Sequence, residues 1–332
     1  MTQIKIAING FGRIGRLVAR LAIENPAIEL VAINDLGDIP TMAHLFKYDT
    51  VHKKFNGTIV VRENAIEINN QSVKVFSIKD PSTLPWKELN VDVVVESTGI
   101  FLTSEKAGMH ITAGAKHVII SAPAKDDIVP TVLMGIEETA IREKAPIISN
   151  ASCTTNCAIP LIKVLDEICE IDYIYLSTTH AFTGDQNLVD APHKDMRRAR
   201  AASYSIIPTT TGATTAILKI LPHLKGRIEG KGVRVPVING SLTDLVTFVK
   251  KPASVETINA YFKERANGAL KGILEYTEEE LVSSDIIGNP HSSIFDANLT
   301  SVAGNMVQIS AWYDNEFGYS NRMIDAIIRL MQ

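Results

Sequence analysis

A glycine-rich loop near the N-terminus constrains the fold of this chain most strongly. The apolar run at residues 4–8 predicts a buried strand. The G-x-G-x-x-G motif that follows it consists of Gly10, Gly12 and Gly15, and apolar residues then recur at helical intervals. Such glycines allow a tight turn, close approach of the backbone to a pyrophosphate, and close packing of a helix on a strand. The loop therefore predicts a doubly wound α/β domain that binds a dinucleotide.

An acidic residue after the second strand indicates which dinucleotide this domain prefers. The apolar run 30–34 predicts that strand, and Asp35 follows it, about 20 residues beyond the last glycine of the motif. A carboxylate in this position binds the hydroxyls of the adenosine ribose, and it repels the 2′-phosphate of NADP. The sequence therefore predicts NAD as the cofactor.

Two later strands of this domain lead into small polar residues. The apolar run 91–95 leads into Thr98 and Gly99, and the run 117–120 leads into Ser121. Because ligands of doubly wound sheets bind beyond the carboxyl ends of the strands, we expect these three residues to line the nicotinamide half of the cofactor site. The alternative interpretation is that they are ordinary turn residues.

Alternating apolar and polar residues predict antiparallel strands in two further regions. Several short runs between residues 41 and 86 predict an antiparallel insertion. The runs 242–249 and 307–312 predict a mainly antiparallel sheet covered by helices such as 254–265. The chain is therefore expected to contain a second, α+β domain.

The overall composition argues against several classes of partner. The 332 residues carry a formal charge of −4 with a pI near 6.1, which predicts neither a nucleic-acid partner nor a membrane partner. Since no run reaches the ~20 apolar residues of a spanning helix and no signal segment precedes the first strand, we expect a cytoplasmic protein. Cys153, Cys157 and Cys169 form a poor disulfide framework. The first two lie one helical turn apart, but without a second pair of ligands we predict no metal site.

One of these cysteines is the candidate nucleophile. Small, mostly polar residues at 149–152 separate a strand-like run from a helical pattern, which places Cys153 at a helix N-terminus. Free backbone N–H groups and the helix dipole favour a thiolate there, although a buried structural cysteine is the alternative. A strand at 173–179 leads into His180, a side chain suited to act as the base for a thiol. We expect His180 either to stabilise the thiolate as imidazolium or to take a proton as imidazole.

Basic and hydroxyl side chains predict anion binding near this pair. The loop 190–200 is rich in arginine, and Arg234 lies in a second basic segment. The guanidinium group suits phosphate. Thr211 and Gly212 open a predicted helix whose free amides can also hold an anion. The plainer alternatives are a solvated charged loop and ordinary helix caps.

Five segments together resemble one enzyme family. They are residues 8–16, 149–157, 179–183, 192–200 and 312–322. The chain is similar over essentially its whole length to phosphorylating glyceraldehyde-3-phosphate dehydrogenases. The resemblance implies oxidation of D-glyceraldehyde 3-phosphate to 1,3-bisphosphoglycerate with NAD and inorganic phosphate, in glycolysis or gluconeogenesis, by a cytoplasmic homotetramer. It also implies an NAD-binding domain at residues 1–151, to which a C-terminal helix at 316–332 returns, and a catalytic domain at 152–315.

The same resemblance implies roles for individual residues. Cys153 forms a thiohemiacetal and then a thioester with the aldehyde, and His180 assists departure of the hydride. The inorganic-phosphate site comprises Ser152, Thr154, Thr211 and Gly212. The site for the phosphate of the substrate comprises Thr183, Asp185, Arg198 and Arg234. The coenzyme is bound by the three glycines with Phe11, Arg13 and Ile14, and by Asn315 and Tyr319.

The chain departs from the family pattern at a few positions. Ala191 lies in the loop associated with coenzyme choice and is the smaller residue seen in some members that also use NADP. Phe317 replaces a common tryptophan, a change that we expect to be conservative. Thr214 and Thr215 stand where Ala-Lys is frequent, which alters the local charge.

Two other functions remain as alternatives. Erythrose-4-phosphate dehydrogenase shares the cysteine–histidine chemistry, but its relatives usually lose the patterns that are intact here at 180–183 and 211–212. A nucleotide sensor without catalysis would keep the dinucleotide fold, but it would need no nucleophile between two anion sites.

Overall fold

The chain folds into two compact units in a computed structural model that describes residues 3–332. The first unit contains the chain up to Ala151 together with Ser320–Gln332, and the second contains Ser152–Tyr319. The C-terminal helix therefore begins in the second unit and continues in the first. No helix among residues 3–332 is both long enough and apolar enough to span a membrane.

The first unit contains a sheet that is parallel at its centre. The strands of this unit are β1 (Ile4–Asn9), β2 (Ile28–Asn34), β3 (Tyr48–Asp49), β4 (Lys53–Lys54), β5 (Ile59–Val61), β6 (Ala65–Ile68), β7 (Gln71–Phe76), β8 (Val93–Glu96), β9 (His117–Ile120) and β10 (Ile147–Ser149). Its helices are α1 (Arg13–Glu24), α2 (Ile39–Lys47), α3 (Ser104–Thr112) and α4 (Thr139–Arg142). The sheet order is β10-β9-β8-β1-β2-β7-β6-β5, and β3 pairs separately with β4.

The central strands explain both the apolar runs and the position of the site. Leu30, Val94 and Ile119 are 0% exposed, because parallel strands are buried on both faces. The chain places β2 on one side of β1 and later places β8 on the other. The crevice beyond the carboxyl ends of β1 and β8 is therefore the switch point at which doubly wound sheets bind ligands. The predicted doubly wound fold is confirmed.

The strands between residues 59 and 76 confirm the predicted antiparallel pairing and add a parallel pairing that was not predicted. β6 pairs antiparallel with both β5 and β7, and β7 also pairs parallel with β2, with Ala32 opposite Lys74. These strands therefore extend the main sheet. The backbone N–H and C=O groups along the edge of β2 form hydrogen bonds with β7 and are not left unpaired. Local alternation could not reveal this pairing, since it says nothing about the partner strand.

The second unit contains the mainly antiparallel sheet that the sequence predicts. Its strands are β11 (Ile171–Ala181), β12 (Ile207–Thr209), β13 (Ile228–Val235), β14 (Ser241–Val249), β15 (Leu274–Thr277), β16 (Ser293–Asp296), β17 (Ser301–Ala303) and β18 (Met306–Tyr313). Its helices are α5 (Cys153–Cys169), α6 (Ala213–Ile220), α7 (Val255–Asn267) and the start of α8 (Phe317–Met331). The sheet order is β12-β13-β11-β14-β18-β16-β15, with β17 paired to β18. The pairs β11–β13 and β15–β16 are parallel.

Helix α5 forms much of the core of this unit. It packs against β14, β16 and β18, and its residues Ile159 and Leu161 are 0% exposed. We expect Pro160 either to kink the helix or to end its first section; the helix does not end there, and the kink stays a prediction. Packing of the buried stretch on both sides keeps this helix intact despite the cost of an internal proline, about 3 kcal/mol.

Candidate active site

The candidate nucleophile occupies the first position of α5. Oγ of Ser152 accepts a hydrogen bond from the backbone N–H of Thr155 at 3.1 Å and so caps the helix. Cys153 follows this cap with a half-buried side chain. Its Sγ lies 3.4 Å from Nε2 of His180, near the end of β11. The two side chains predicted to carry the chemistry are therefore in contact.

Strand pairing and one arginine orient the histidine. β11 and β13 pair in parallel with His180 opposite Arg234, so both side chains lie on one face of the sheet. Nη1 of Arg234 donates to the backbone oxygen of Ala181 at 2.9 Å and lies 2.9 Å from Nδ1 of His180. Nδ1 of His180 also lies 2.7 Å from the oxygen of Ala181; we assign the imidazole hydrogen to Nδ1, which donates to this oxygen, and the Arg234 hydrogen to the same oxygen and not to Nδ1. This tautomer leaves the lone pair of Nε2 facing the thiol.

Burial dominates the protonation of this pair. Burial, followed by the charge of Arg234, lowers the pKa of His180 to about 3, so the imidazole is neutral at neutral pH. Burial also raises the pKa of Cys153, while Arg234 and the N–H of Thr154 act in the opposite direction. Burial thus counteracts the expected effect of the helix N-terminus on the thiol. Of the two roles predicted for His180, the structure favours the neutral imidazole that takes a proton.

A tyrosine that sequence reasoning missed completes this cluster. Tyr313, at the end of β18, is 1% exposed, and its hydroxyl lies 2.9 Å from Oγ1 of both Thr154 and Thr178. Its ring packs edge-on against His180 with 5.8 Å between the centroids. Tyr313 therefore connects the first turn of α5, which carries Cys153, to β11, which carries His180. Its hydroxyl partners lie 159 and 135 positions away in the chain, so no local pattern identifies it.

The second cysteine of the helix is placed differently from the first. Cys157 is 0% exposed, and its Sγ lies 3.6 Å from Oγ of Ser293. Burial raises the pKa of Cys157 to about 12, so this sulfur is a thiol at neutral pH and a poor nucleophile. Within residues 3–332, no group of three or more His, Cys, Asp or Glu side chains is arranged to hold a metal ion.

Two arginines bring positive charge to His180, which contacts Cys153. Arg198 donates from Nη1 to Asp185 at 2.6 Å and from Nε to Oγ1 of Thr209 at 2.9 Å, which fixes its guanidinium. Arg198 and Arg234 both lower the pKa of His180, so their charges converge on this site. Asp185 belongs to the predicted phosphate site, but a carboxylate repels phosphate. In the structure its carboxylate orients Arg198, and the place of Asp185 in the phosphate site stays a prediction.

The other predicted phosphate residues lie at helix starts or in the loop after β11. Gly212 precedes α6, and Oγ1 of Thr211 accepts from the first N–H of that helix at 3.2 Å. The hydroxyls of Ser152 and Thr154 bond to Thr155 and Tyr313 respectively, so each already has a partner within the fold. Backbone N–H groups at the two helix starts remain suited to anions. Thr183 follows β11 and is half-buried.

In the first unit, the glycine loop borders a cleft of about 540 Å³. Gly10 has a φ of +94°, and a Cβ at this position would lie 2.7 Å from the backbone N of Thr98. A Cβ at Gly15 would lie 2.1 Å from the backbone oxygen of Gly10. Both positions therefore exclude a side chain, as the tight turn and the close packing of helix on strand require. The cleft is lined by Asn9, Gly10, Gly12, Asn34, Asp35, Leu36, Ile78, Lys79, Ser97, Thr98, Ile100 and Phe101.

The backbone holds Asp35 at the edge of this cleft. Its Oδ2 accepts from the N–H of Phe11 at 2.7 Å, and its Oδ1 accepts from the N–H of Gly37 at 2.9 Å. Each oxygen keeps a second lone pair for a ribose hydroxyl. Arg13 and Ile14 form the first turn of α1, where backbone amides suit a pyrophosphate. The glycines, the helix start and the carboxylate together fit NAD.

The residues predicted to line the nicotinamide half divide into two groups. Thr98 lines the cleft, and both its N–H, at 2.8 Å, and its hydroxyl donate to Oε1 of Glu96. Gly99 and Ser121 do not line this cleft. Their contacts with the coenzyme stay predictions.

The remaining predicted coenzyme residues lie near the start of α8. Oγ of Ser241 donates to Oδ1 of Asn315 at 2.8 Å, which directs the amide N–H groups of Asn315 the other way. The preceding Asp314 accepts from Nδ2 of Asn239 at 2.8 Å. Asn315 and Tyr319 are both 5% exposed. Sequence reasoning missed Ser241 and Asp314, because each acts through a partner distant in the chain.

Comparison with known proteins decides the family. A family profile described as glyceraldehyde 3-phosphate dehydrogenase, NAD binding domain, matches residues 4–104, and one described as its C-terminal domain matches residues 152–315. The chain belongs to the glyceraldehyde-3-phosphate dehydrogenase family. It is 53% identical over 331 residues to glyceraldehyde-3-phosphate dehydrogenase of Thermotoga maritima, with 99% of each chain covered. The enzyme of Geobacillus stearothermophilus is 51% identical over 324 residues, which cover 97% of this chain and 96% of the relative.

Membership of the glyceraldehyde-3-phosphate dehydrogenase family confirms the resemblance and the choice of NAD. A relative from Streptomyces avermitilis, 50% identical over 328 residues that cover 98% of each chain, is named glyceraldehyde-3-phosphate dehydrogenase 2. Erythrose-4-phosphate dehydrogenase is therefore not favoured. The roles of individual residues and the domain boundaries stay predictions. Nothing in the structure explains Thr214 and Thr215 in place of the frequent Ala-Lys.

Proposed function

We propose that this chain catalyses the phosphorylating oxidation of D-glyceraldehyde 3-phosphate to 1,3-bisphosphoglycerate with NAD and inorganic phosphate. The observation that carries the proposal is the 3.4 Å contact between Sγ of Cys153 and Nε2 of His180. A thiol beside a neutral base suits addition to an aldehyde. Arg198 and Arg234, whose charges act on the same histidine, suit a substrate that carries phosphate.

The oxidation needs a nucleophile and a base in contact. The thiol proton of Cys153 passes to His180, sulfur bonds to the aldehyde carbon, and His180 returns the proton to the aldehyde oxygen. Nε2 of His180 then takes the proton of this thiohemiacetal hydroxyl while the carbon loses a hydride, which leaves a thioester on the sulfur. Bound NAD supplies the acceptor for the hydride. The hydrogen bond from Nδ1 to Ala181 keeps Nε2 directed at the reacting atoms.

Inorganic phosphate then cleaves the thioester. A phosphate oxygen bonds to the thioester carbon, the carbon–sulfur bond breaks, and the acyl phosphate leaves. The sulfur of Cys153 takes back a proton from His180, and the proton of the attacking phosphate is released. Arg198 and Arg234 offset the negative charge of bound phosphate groups and hold them near the reacting carbon.

Absorbance of NADH tests this function directly. We expect rapid reduction of NAD with D-glyceraldehyde 3-phosphate and phosphate, and only a single turnover when phosphate is omitted, because the thioester then remains on the enzyme. Sustained turnover without phosphate would refute the phosphorylating reaction. A faster rate with erythrose 4-phosphate would favour the sister activity, and coenzyme binding without any reduction would favour a sensor.

We further propose a homotetramer. The segment 188–206 exposes large apolar side chains, among them Met196 at 81% and Tyr204 at 88%. The sheet of the second unit also exposes Tyr173 and Phe248, at 53% and 47%. Clusters of exposed apolar side chains are typical of surfaces that meet another chain. Sedimentation equilibrium at micromolar concentration should give four times the chain mass, and a monomer would contradict the assembly.

We also propose the division of labour and the location of the protein. Residues 1–151 with the C-terminal helix at 316–332 bind NAD, and residues 152–315 carry the chemistry. The cytoplasm suits this chemistry, because a reducing compartment keeps Cys153 as a free thiol. Cell fractionation that found the protein elsewhere would contradict the location.

A further inference from the structure

A buried polar network borders the coenzyme cleft of the first unit. Glu96, at the end of β8, and His110, in the last turn of α3, are both 0% exposed. Oε2 of Glu96 lies 2.6 Å from Nδ2 of Asn9 and 3.1 Å from Nε2 of His110. Oε1 of Glu96 accepts from the N–H of Thr98 at 2.8 Å and from its hydroxyl. On the other side of His110, Nε1 of Trp86 lies 3.0 Å from Nδ1.

These partners determine where the hydrogen of His110 lies. The indole N–H of Trp86 can only donate, so Nδ1 of His110 accepts. The imidazole hydrogen is therefore on Nε2 and is donated to Glu96. Glu96 thus accepts from His110, from Asn9 and from both donors of Thr98, which engages both of its carboxylate oxygens. Neither Glu96 nor His110 lines the cleft itself.

The network reaches the cleft wall at several further points. Oδ1 of Asn9 accepts from Nδ2 of Asn34 at 2.7 Å. Asn34 exchanges hydrogen bonds of 2.9 Å with both the N–H and the C=O of Ile78. Phe101 packs edge-on against His110 with 6.1 Å between the centroids. Asn9, Asn34, Ile78 and Phe101 all line the cleft, so one buried cluster touches much of its wall.

We propose that Glu96 and His110 are positioning residues for the coenzyme, which act through Thr98, Asn9 and Phe101 without touching the ligand. A buried carboxylate is costly to desolvate, and apolar side chains of similar volume would usually pack such a site with no loss of stability. Stability alone therefore does not account for the network. The network is accounted for if it holds the cleft wall in its binding geometry before the coenzyme binds. This inference rests on the proposed NAD site and extends it to residues outside the cleft.

Two substitutions of His110 separate its two hydrogen bonds. His110→Asn keeps an acceptor near the position of Nδ1 but does not reach Glu96. His110→Gln offers an amide N–H near the position of Nε2 but leaves Trp86 with no acceptor there. We expect His110→Asn to weaken NAD binding about five- to twentyfold in calorimetry, and His110→Gln to bind within about twofold of the unmodified protein.

A histidine of the same sheet provides the matched control. Nδ1 of His117, on β9, lies 3.1 Å from the backbone oxygen of Ala145, and His117 does not line the cleft. His117→Gln should therefore leave NAD affinity unchanged. A loss of affinity in this control equal to that in His110→Asn would show that any histidine substitution in this unit acts nonspecifically, and it would overturn the proposal.

Fluorescence and kinetics distinguish positioning from a general loss of structure. Without coenzyme, Trp86 emission should shift in His110→Gln, which leaves the indole N–H unpaired, and should change little in His110→Asn. The larger change in emission is therefore expected in His110→Gln, whereas the larger loss of NAD affinity is expected in His110→Asn. His110→Asn should raise KM for NAD in proportion to Kd while changing kcat less than about twofold. Equal loss of affinity in both variants, or unchanged affinity in His110→Asn, would overturn the proposal.

Glu96→Gln keeps the experiment decisive if the variants of His110 do not fold. The glutamine has the shape of glutamate but presents an amide N–H to neighbours that all donate, so we expect NAD binding to weaken about tenfold. KM for D-glyceraldehyde 3-phosphate should not change. Unchanged NAD affinity would overturn the inference. Turnover of the unmodified protein is measured separately, so its absence would refute the proposed reaction without affecting the comparison of NAD affinities.

Discussion

Replacing Asp35 by asparagine tests the predicted choice of coenzyme. The side chain keeps its shape but loses its charge and one acceptor oxygen. In the structure both oxygens are occupied, since Oδ2 faces the N–H of Phe11 at 2.7 Å and Oδ1 faces the N–H of Gly37 at 2.9 Å. An asparagine can satisfy only one of these donors, and its NH₂ group must face the other. Binding of the ribose hydroxyls and rejection of a 2′-phosphate should therefore both be weakened.

The expected magnitude follows from these two effects. A hydrogen bond to a charged group contributes about 1.5–3 kcal/mol, so loss of a ribose contact should lower kcat/KM for NAD roughly 10- to 100-fold. Repulsion between unit charges about 4 Å apart amounts to about 1–4 kcal/mol near a protein surface, and its removal should raise kcat/KM for NADP. The two changes have opposite signs. Together they should shift the ratio of the two specificity constants by about 100-fold or more.

The assay measures initial rates with both coenzymes at saturating D-glyceraldehyde 3-phosphate and phosphate. Asp38→Asn is the matched control, because Asp38 is exposed and caps α2 by accepting from the N–H of Thr41 at 2.9 Å. It removes the same charge from a nearby position and should leave the ratio unchanged. An unchanged ratio in Asp35→Asn, or equal shifts in both variants, would refute the role given to Asp35.

The remaining predictions concern the catalytic pair, its arginine and the core. Cys153→Ala should abolish turnover and retain NAD binding, whereas Cys157→Ala should keep a substantial rate; reversed effects would identify the other sulfur as the nucleophile. At about pH 8, iodoacetamide should label Cys153 but not Cys157, whose pKa burial raises to about 12, and equal labelling by mass spectrometry would contradict this. Arg234→Gln should raise KM for the aldehyde substrate and lower kcat/KM roughly 30-fold or more, which corresponds to a loss of about 2 kcal/mol of transition-state stabilisation. An unchanged KM would exclude Arg234 from the site for the phosphate of the substrate. Phe262→Ala should reduce the unfolding free energy in urea by about 3–5 kcal/mol, because its ring stacks on Phe295 at 3.9 Å; a loss below about 1 kcal/mol would contradict this.

Local patterns were sufficient for the framework of both units. The spacing of Gly10 and Gly15 predicted a dinucleotide loop, because a positive φ and close backbone approach exclude side chains whatever surrounds them. Continuous apolar runs predicted parallel strands, since both faces of such a sheet must be buried. The change from strand to helix periodicity before Cys153 predicted a helix start there, and the structure begins α5 at that residue.

Strand pairing and packing decided features that local preferences left open. The strand β7 extends the main sheet because its partner β2 lies at an open edge, which its own residues do not encode. Pro160 lies in an unbroken helix because the buried residues around it hold the helix together. The fold places Arg198 within 2.6 Å of the carboxylate of Asp185, a contact between residues 13 positions apart that no local pattern shows.

The sequence by itself therefore determined the fold class and the dinucleotide loop, and it predicted the nucleophile and the base. It did so because turns, helix starts and buried strands depend on residues within a short window. Only the tertiary structure decided that Arg234 stands opposite His180, 54 positions away, and that Tyr313 joins Thr154 to Thr178. Contacts of this kind depend on strand register, and the protonation of His180 depends on burial by the whole unit. Neither quantity belongs to any local segment of the chain.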